Sequence, residues 1–218
     1  MELPGKDGRV PNLNPQFVKD IEDRLQLGFV PEGKGDLEAT FGPEDALHYI
    51  YAILHSPTYR ERYADFLKID FPRVPLTSDR AQFRTLAERG ASLVALHLLK
   101  SPAVERIGTS YPVPGDSRVE WGYPRYFAPG QLAPGEQEPL KRGRVYVNKE
   151  QYVEGVEPEV WEFEIGGYQV LDKWLKDRRG RALSFDDLLH YQKVVVALQE
   201  TIRLMVEIDE VIPSWPIE

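Results

Sequence analysis

Apolar positions recur at helical spacing through most of the first hundred residues, and the period shortens only afterwards. From Pro15 to Leu25, Phe17, Val18, Ile21 and Leu25 fall on one helical face. The stretch FVPEGKGDLEATFG reads as a loop. Pro43 then suits a first helical position, with Glu44 and Asp45 at the positive end of the helix dipole, and this helix is predicted to run to about His55. Ser56 and Pro57 have the order of an N-cap and an N1 proline, opening another helix through Tyr63 and Leu67. KIDFPRVPLTSD is extended, as its two prolines require. Ser78 is placed to cap a helix that turns Phe83, Leu86, Leu93, Val94 and Leu98 inward.

Beyond Lys100 the character changes. Residues 108–140 mix prolines and glycines with aromatics, the composition of loops and short strands. GRVYVNK alternates Val145 and Val147 against Arg144, Tyr146 and Asn148, a strand pattern. VWEFEI alternates Trp161, Phe163 and Ile165 against Val160, Glu162 and Glu164, the clearest strand pattern of the chain, and Gly166-Gly167 ends it. YQVLDKWLKDR predicts a short helix. Ser184 with Asp187 resembles a capping box, and the helix it opens places Leu188, Tyr191, Val195, Leu198, Ile202, Met205 and Ile212 on one stripe before Pro213. These elements predict an α+β fold: a helical N-terminal half, a small, mostly antiparallel sheet, and a long C-terminal helix. The organisation expected is a tail over 1–14, a helical part over 15–100, and an α+β part over 101–218 packed on it.

Composition narrows the function classes. The 218 residues, 42% hydrophobic and 28% charged, are those of an ordinary globular chain. Cysteine is absent, which excludes disulfides, thiolate metal sites and a cysteine nucleophile. The first thirty residues hold no apolar run and no window approaches a membrane span, so a cytoplasmic setting is expected. There is no GxxxxGK[ST] loop, no GxGxxG after a strand, no nucleophile elbow, and no Asn/Asp-Pro-Pro-aromatic string. His48 and His55 stand seven apart, too far for the i, i+4 pairing of a shared metal, and His97 and His190 likewise read as partly buried helix residues. The acidic run at 207–210 reads as a solvated helix end. Neither a metal nor a cofactor is expected.

The net charge of −8 opposes a uniformly DNA-binding surface, but the basic residues are grouped. One group is IGGYQVLDKWLKDRRGR, where Tyr168 follows a glycine pair and a short helix carries Lys173, Lys176, Arg178, Arg179 and Arg181. Arginine and lysine neutralise phosphates, and arginine also pairs with guanine edges; the same residues equally fit a core helix with snorkelling cations. The other is KRGRVYVNKEQYVEG, with Arg142, Arg144 and Lys149 beside Asn148, Gln151 and Tyr152. It combines phosphate-binding groups with amides that suit adenine edges, or is a plain surface hairpin. Two rival readings stay open: an interaction scaffold docking through the C-terminal helix, and a hydrolase with a metal at Asp186 and Asp187.

Two long blocks carry a resemblance. LQLGFVPEGKGDLEATFGPEDALHYIYAILHSPTYRERYADFLKIDFPRVPL and GRVYVNKEQYVEGVEPEVWEFEIGGYQVLDKWLKDRRGRALSFDDLLHYQKVVVALQETIRLMVEID together resemble the C-terminal specificity domain of type ISP restriction–modification enzymes. The resemblance implies a target-recognition domain for double-stranded DNA, non-catalytic on its own. It also implies nuclease, translocase and adenine methyltransferase domains as partners, covalent or separate, the methyltransferase using S-adenosylmethionine. No motif of those enzymes occurs here. Base-reading positions are not carried over from the family, and the unmatched stretch around Tyr111 to Gln137, with Arg118, Arg125 and Tyr126, is where they are expected.

Overall fold

The computed structural model describes residues 10–217, so residues 1–9 of the expected tail lie outside the described residues. The fold is α+β, with small, mostly antiparallel sheets and a long C-terminal helix. The chain forms two compact units: the described residues of Met1–Leu98 with Arg203–Glu218, and Leu99–Ile202. The end of the last helix thus belongs with the first unit, whereas the sequence places all of 101–218 in one part.

In the first unit, α1 (Pro15–Leu25) starts where the Asn14 side chain accepts from the Gln16 amide, and it buries Ile21 and Leu25. Strands β1 (Gly28–Phe29) and β2 (Thr40–Phe41) pair in parallel. Helix α2 (Pro43–His55) carries its N-terminus on Asp45, whose carboxylate accepts from Gly42 and Gly35 amides. Helices α3 (Pro57–Arg62) and α4 (Ala64–Leu67) follow, a break at Tyr63 splitting the single helix that the sequence predicts there. Ser56 caps α3 and itself donates to Asp209, which also accepts from the Thr58 amide and hydroxyl. Helix α5 (Arg80–His97) is capped by Asp79, not by Ser78: a carboxylate there accepts from two amides, Ala81 and Gln82, while Ser78 is exposed one position too early. α2 and α5 pack closely, Tyr49 stacking on Phe83 at 4.9 Å. Gly90 makes this possible, since a Cβ there would overlap the His48 carbonyl oxygen.

In the second unit, β3 (Arg125–Phe127), β4 (Arg144–Tyr146) and β5 (Tyr152–Glu154) form an antiparallel meander. Val145, Val147 and Val153 enter a core with Val119, Val156, Val160, Leu171, Leu175, Tyr191, Val195 and Leu198. Tyr146 is buried too, in a smaller cluster with Ala133 and Leu140, so β4 is covered on both faces. The strand expected over VWEFEI is corrected. Pro158, with its fixed φ, starts a helical turn, α6 (Pro158–Trp161), leaving only β6 (Glu164–Ile165) extended. Val160 is buried and Ile165 exposed, against the alternating pattern, whereas Trp161 and Phe163 pack on the core as that pattern expects. β6 and β7 (Tyr168–Gln169) close a hairpin over Gly166 and Gly167, both at positive φ, as a two-residue turn demands. Helix α7 (Val170–Lys176) and α8 (Phe185–Val211) complete the chain. Ser184 and Asp187 exchange the reciprocal hydrogen bonds of a capping box at the start of α8. The α8 stripe is spent inside the fold, with Tyr191, Val195 and Leu198 in the second core and Leu204, Ile208 and Ile212 buried beyond it. Among the described residues, no helix is long and apolar enough to cross a membrane.

Candidate nucleic-acid interface

In the second unit, two loops that carry several of its cations run side by side. Val119 donates to the Arg181 carbonyl and accepts from the Gly180 amide, Leu183 donates to the Ser117 carbonyl, and Arg118 and Ala182 form an isolated bridge. The segment 117–123 is thereby stitched to 179–183. Glu120 also donates to the Val147 carbonyl, which ties the same segment to the end of β4.

Arginines reinforce this join through backbone carbonyls. Arg118 donates to Gly180, Arg179 to Tyr123 at 2.6 Å, and Arg125 to Gly122 at 3.2 Å while lying 5.0 Å from the Tyr123 ring centre. Each guanidinium has further N–H groups beyond the one it uses here. Arg118 is also 3.6 Å from Asp116, a contact between two exposed side chains that contributes little. Arg181 and Lys149 are exposed at the same end of the β4–β5 hairpin, whereas Arg142 precedes β4 and donates to the Gly108 carbonyl.

Other cations are engaged within the unit. Arg144 pairs with Glu136 and Glu154 and lies 4.2 Å from the Tyr152 ring centre, which occupies its planar face as well as its donors. Tyr152 in turn packs against Tyr146. Lys173 pairs with Asp177 and Lys176 with Asp172, each one helical turn away on α7. Arg178 stacks on Trp174 at 3.5 Å, donates to its carbonyl, and stands 3.8 Å from Asp187. Tyr168 is 62% exposed at the glycine hairpin.

The two amides have an internal role. Asn148 is 6% exposed and Gln151 3%. Asn148 donates to the Arg118 carbonyl and to Gln151 Oε1, and its own oxygen accepts from the Glu150 and Gln151 amides. Gln151 accepts from the Ser117 amide and donates to the Val113 carbonyl, and Gly115 leaves room for its head group. Together they hold segment 113–118 on the hairpin, and both side-chain oxygens and the Asn148 Nδ2 are engaged in this clamp. An amide near a strand end has the same one-letter signature whether it reads a base or closes a loop.

Tyr126, expected among possible readers, donates to the Val156 carbonyl and stacks on Trp161 at 5.2 Å. Burial and then the nearby Glu157, Glu159 and Glu162 push its hydroxyl up to about 12, so it stays protonated. Asp187 is held below the usual carboxylate range by the Ser184 amide and hydroxyl, so it serves as a helix cap. Among the described residues, no group of three or more metal-binding side chains converges. His48 is buried, His55 and His97 pack against Tyr51, and His190 is exposed with its ring on Trp174.

Trp121 escaped the sequence reading. It stands at the turn between Arg118 and Arg125 and is 79% exposed. A Trp-Gly pair in a proline-rich stretch flanked by arginines was the available signal.

The family model for the type ISP C-terminal specificity domain matches residues 3–207. The chain belongs to that family. Three solved structures share this specificity domain's fold. One is a nuclease-deletion mutant of the type ISP restriction–modification enzyme LlaGI in complex with a DNA substrate mimic. It matches with a TM-score of 0.53 at 21% identity, over 80% of this chain and 14% of its own. The DrdV–DNA complex gives 0.61 at 19% identity, over 95% and 21%. The ATP-dependent type ISP enzyme LlaBIII bound to DNA gives 0.53 at 18%, over 81% and 12%. The specificity domain thus spans about a fifth or less of the length of each of these proteins. No curated protein matches it by sequence.

Proposed function

We propose that this specificity domain recognises a site on double-stranded DNA for a type ISP restriction–modification enzyme and performs no chemistry itself. Family membership over nearly the whole chain carries the reading. The face built from segments 117–125 and 179–183 supports it with a physical surface. Arg118, Arg125, Arg179, Arg181 and Lys149 project from backbone that is hydrogen-bonded across three segments. They neutralise phosphates there while the acidic residues of the chain lie mostly elsewhere. Arg142, Lys173, Lys176, Arg178 and Tyr168 are further candidates for contact with the DNA. Of these, the lysines are partly neutralised by their helical partners. Arg144, Tyr152, Asn148 and Gln151 shape the surface from beneath. The DNA-bound enzymes that share its fold are several times longer than this domain, which supports nuclease, translocase and methyltransferase modules as its partners.

The test is equilibrium binding to duplex DNA as salt is raised, followed by selection from a randomised duplex pool. About four phosphate contacts give a log–log salt slope of about −4. Binding that ignores salt, together with a pool that enriches no sequence, refutes the proposal.

A further inference from the structure

We infer that Trp121 stacks on a base of the bound DNA and is the aromatic anchor of the interface; this deepens the DNA-recognition reading and rests on it. The residue sits at the first corner of a turn closed by a hydrogen bond from the Tyr123 amide to the Glu120 carbonyl. Gly122 at the second corner has φ +91, the positive value that such a turn requires. The turn is not a floppy tip. Val119 before it is fully buried and paired with Gly180 and Arg181, and Glu120 is bonded to Val147. Arg125 after it enters β3. The backbone that carries the indole is therefore fixed, and Trp121 is 79% exposed.

The other tryptophans are at least partly buried, and Phe71 and Phe185 are as exposed as Trp121 or more so. Of these, Trp121 alone stands on the turn between Arg118 and Arg125, where a large exposed ring points to a partner surface. The cations on the same backbone decide which partner. Arg125 donates to the Gly122 carbonyl and Arg179 to the Tyr123 carbonyl, while Arg118 donates to Gly180 in the adjoining segment. Three guanidiniums are thus anchored on the backbone of this turn and of the segment paired with it, against the carboxylates of Asp116 and Glu120. An exposed planar ring on a turn that also carries cations complements an aromatic base flanked by phosphates. Bases are uniform in offering a π-face, so stacking adds affinity without dictating sequence, and insertion at a base step also unstacks it.

The experiment uses the wild-type chain, Trp121→Ala and Trp121→Phe with a duplex selected by the wild type, carrying 2-aminopurine at each position in turn. In the wild type, fluorescence should rise at one position or one step on binding. Trp121→Ala should keep its melting temperature and salt slope, lose that signal, and bind about 10-fold to 100-fold more weakly. Trp121→Phe should restore most of both. If Trp121→Ala binds as the wild type does, or if it weakens binding with no base position ever responding, the stacking assignment falls while site recognition stands. Loss of association with a methyltransferase protein, with DNA binding intact, makes the indole a protein contact and also overturns it. A wild-type chain that selects no duplex overturns both proposals.

Discussion

Replacing Asn148 with Ala separates a base reader from a structural clamp. The side chain makes four hydrogen bonds, two donated to the Arg118 carbonyl and Gln151 Oε1 and two accepted from the Glu150 and Gln151 amides, at 2.7 to 3.1 Å. Truncation leaves the Gln151 amide and Oε1 without these partners in a buried site. Each net contribution is about 0.5 to 1.5 kcal/mol, so the loss is about 2 to 4 kcal/mol if the segment at 113–118 relaxes partly. For a chain of this size that lowers the melting temperature by about 5 to 15 °C. Urea unfolding of wild type and variant gives the free-energy difference, and the same preparations enter a randomised duplex selection. The clamp role predicts a clear loss of stability and a general loss of affinity. A variant that melts like the wild type and loses preference at a single base pair would show the amide facing DNA and refute the clamp role.

Other outcomes follow from named contacts. Gly90→Ala should destabilise the first unit by about 1 to 3 kcal/mol or more, because the new Cβ overlaps the His48 carbonyl and α2 and α5 must separate; a wild-type melt contradicts that packing. Burial, and then the neighbouring His55, lower the His97 pKa to about 4 from an ordinary 6.5. The unfolded chain then binds the proton first as pH falls from 6.5 towards 4, so stability drops across that window and levels below it. His97→Gln should flatten the melting temperature between pH 6.5 and 5, and an unchanged profile assigns the slope to other groups. Arg118→Ala with Arg179→Ala should weaken binding to every duplex alike and reduce the salt slope by up to about two, one per contact.

Helices with a proline or polar cap at the start were legible from one strand of letters. Pro15, Pro43 and the Ser184–Asp187 box mark their elements within a residue because capping is a local interaction. The strand over VWEFEI was not, since alternation of large apolar residues also fits a helical turn followed by two extended residues, and Pro158 decides between them. The basic residues were visible as clusters, but their availability was not. Whether Arg144 faces water depends on Glu136 and Glu154, eight and ten positions away, and Arg179 finds its carbonyl 56 residues back. Asn148 and Gln151 carried the letters expected of a reader and turned out to close a loop. Trp121 became conspicuous only once its backbone was seen to be fixed and its ring uncovered.

The way segment 117–123 is attached has an evolutionary consequence. Nearly every bond that fastens it to the neighbouring strand and loop uses main-chain atoms: the Ser117 amide and carbonyl, both groups of Val119, the Glu120 amide and the Tyr123 carbonyl. Main-chain atoms are the same whatever residue stands there. The outward side chains at 120 and 121 can therefore be exchanged with little threat to the mounting, and those at 118 and 125 for one bond each to the Gly180 and Gly122 carbonyls, provided Val119 stays inside and Gly122 keeps its positive φ. With DNA reading at this face as proposed, such a mounting would act as a socket for interchangeable contacts, and a new specificity could arise by a few substitutions without rebuilding the domain beneath.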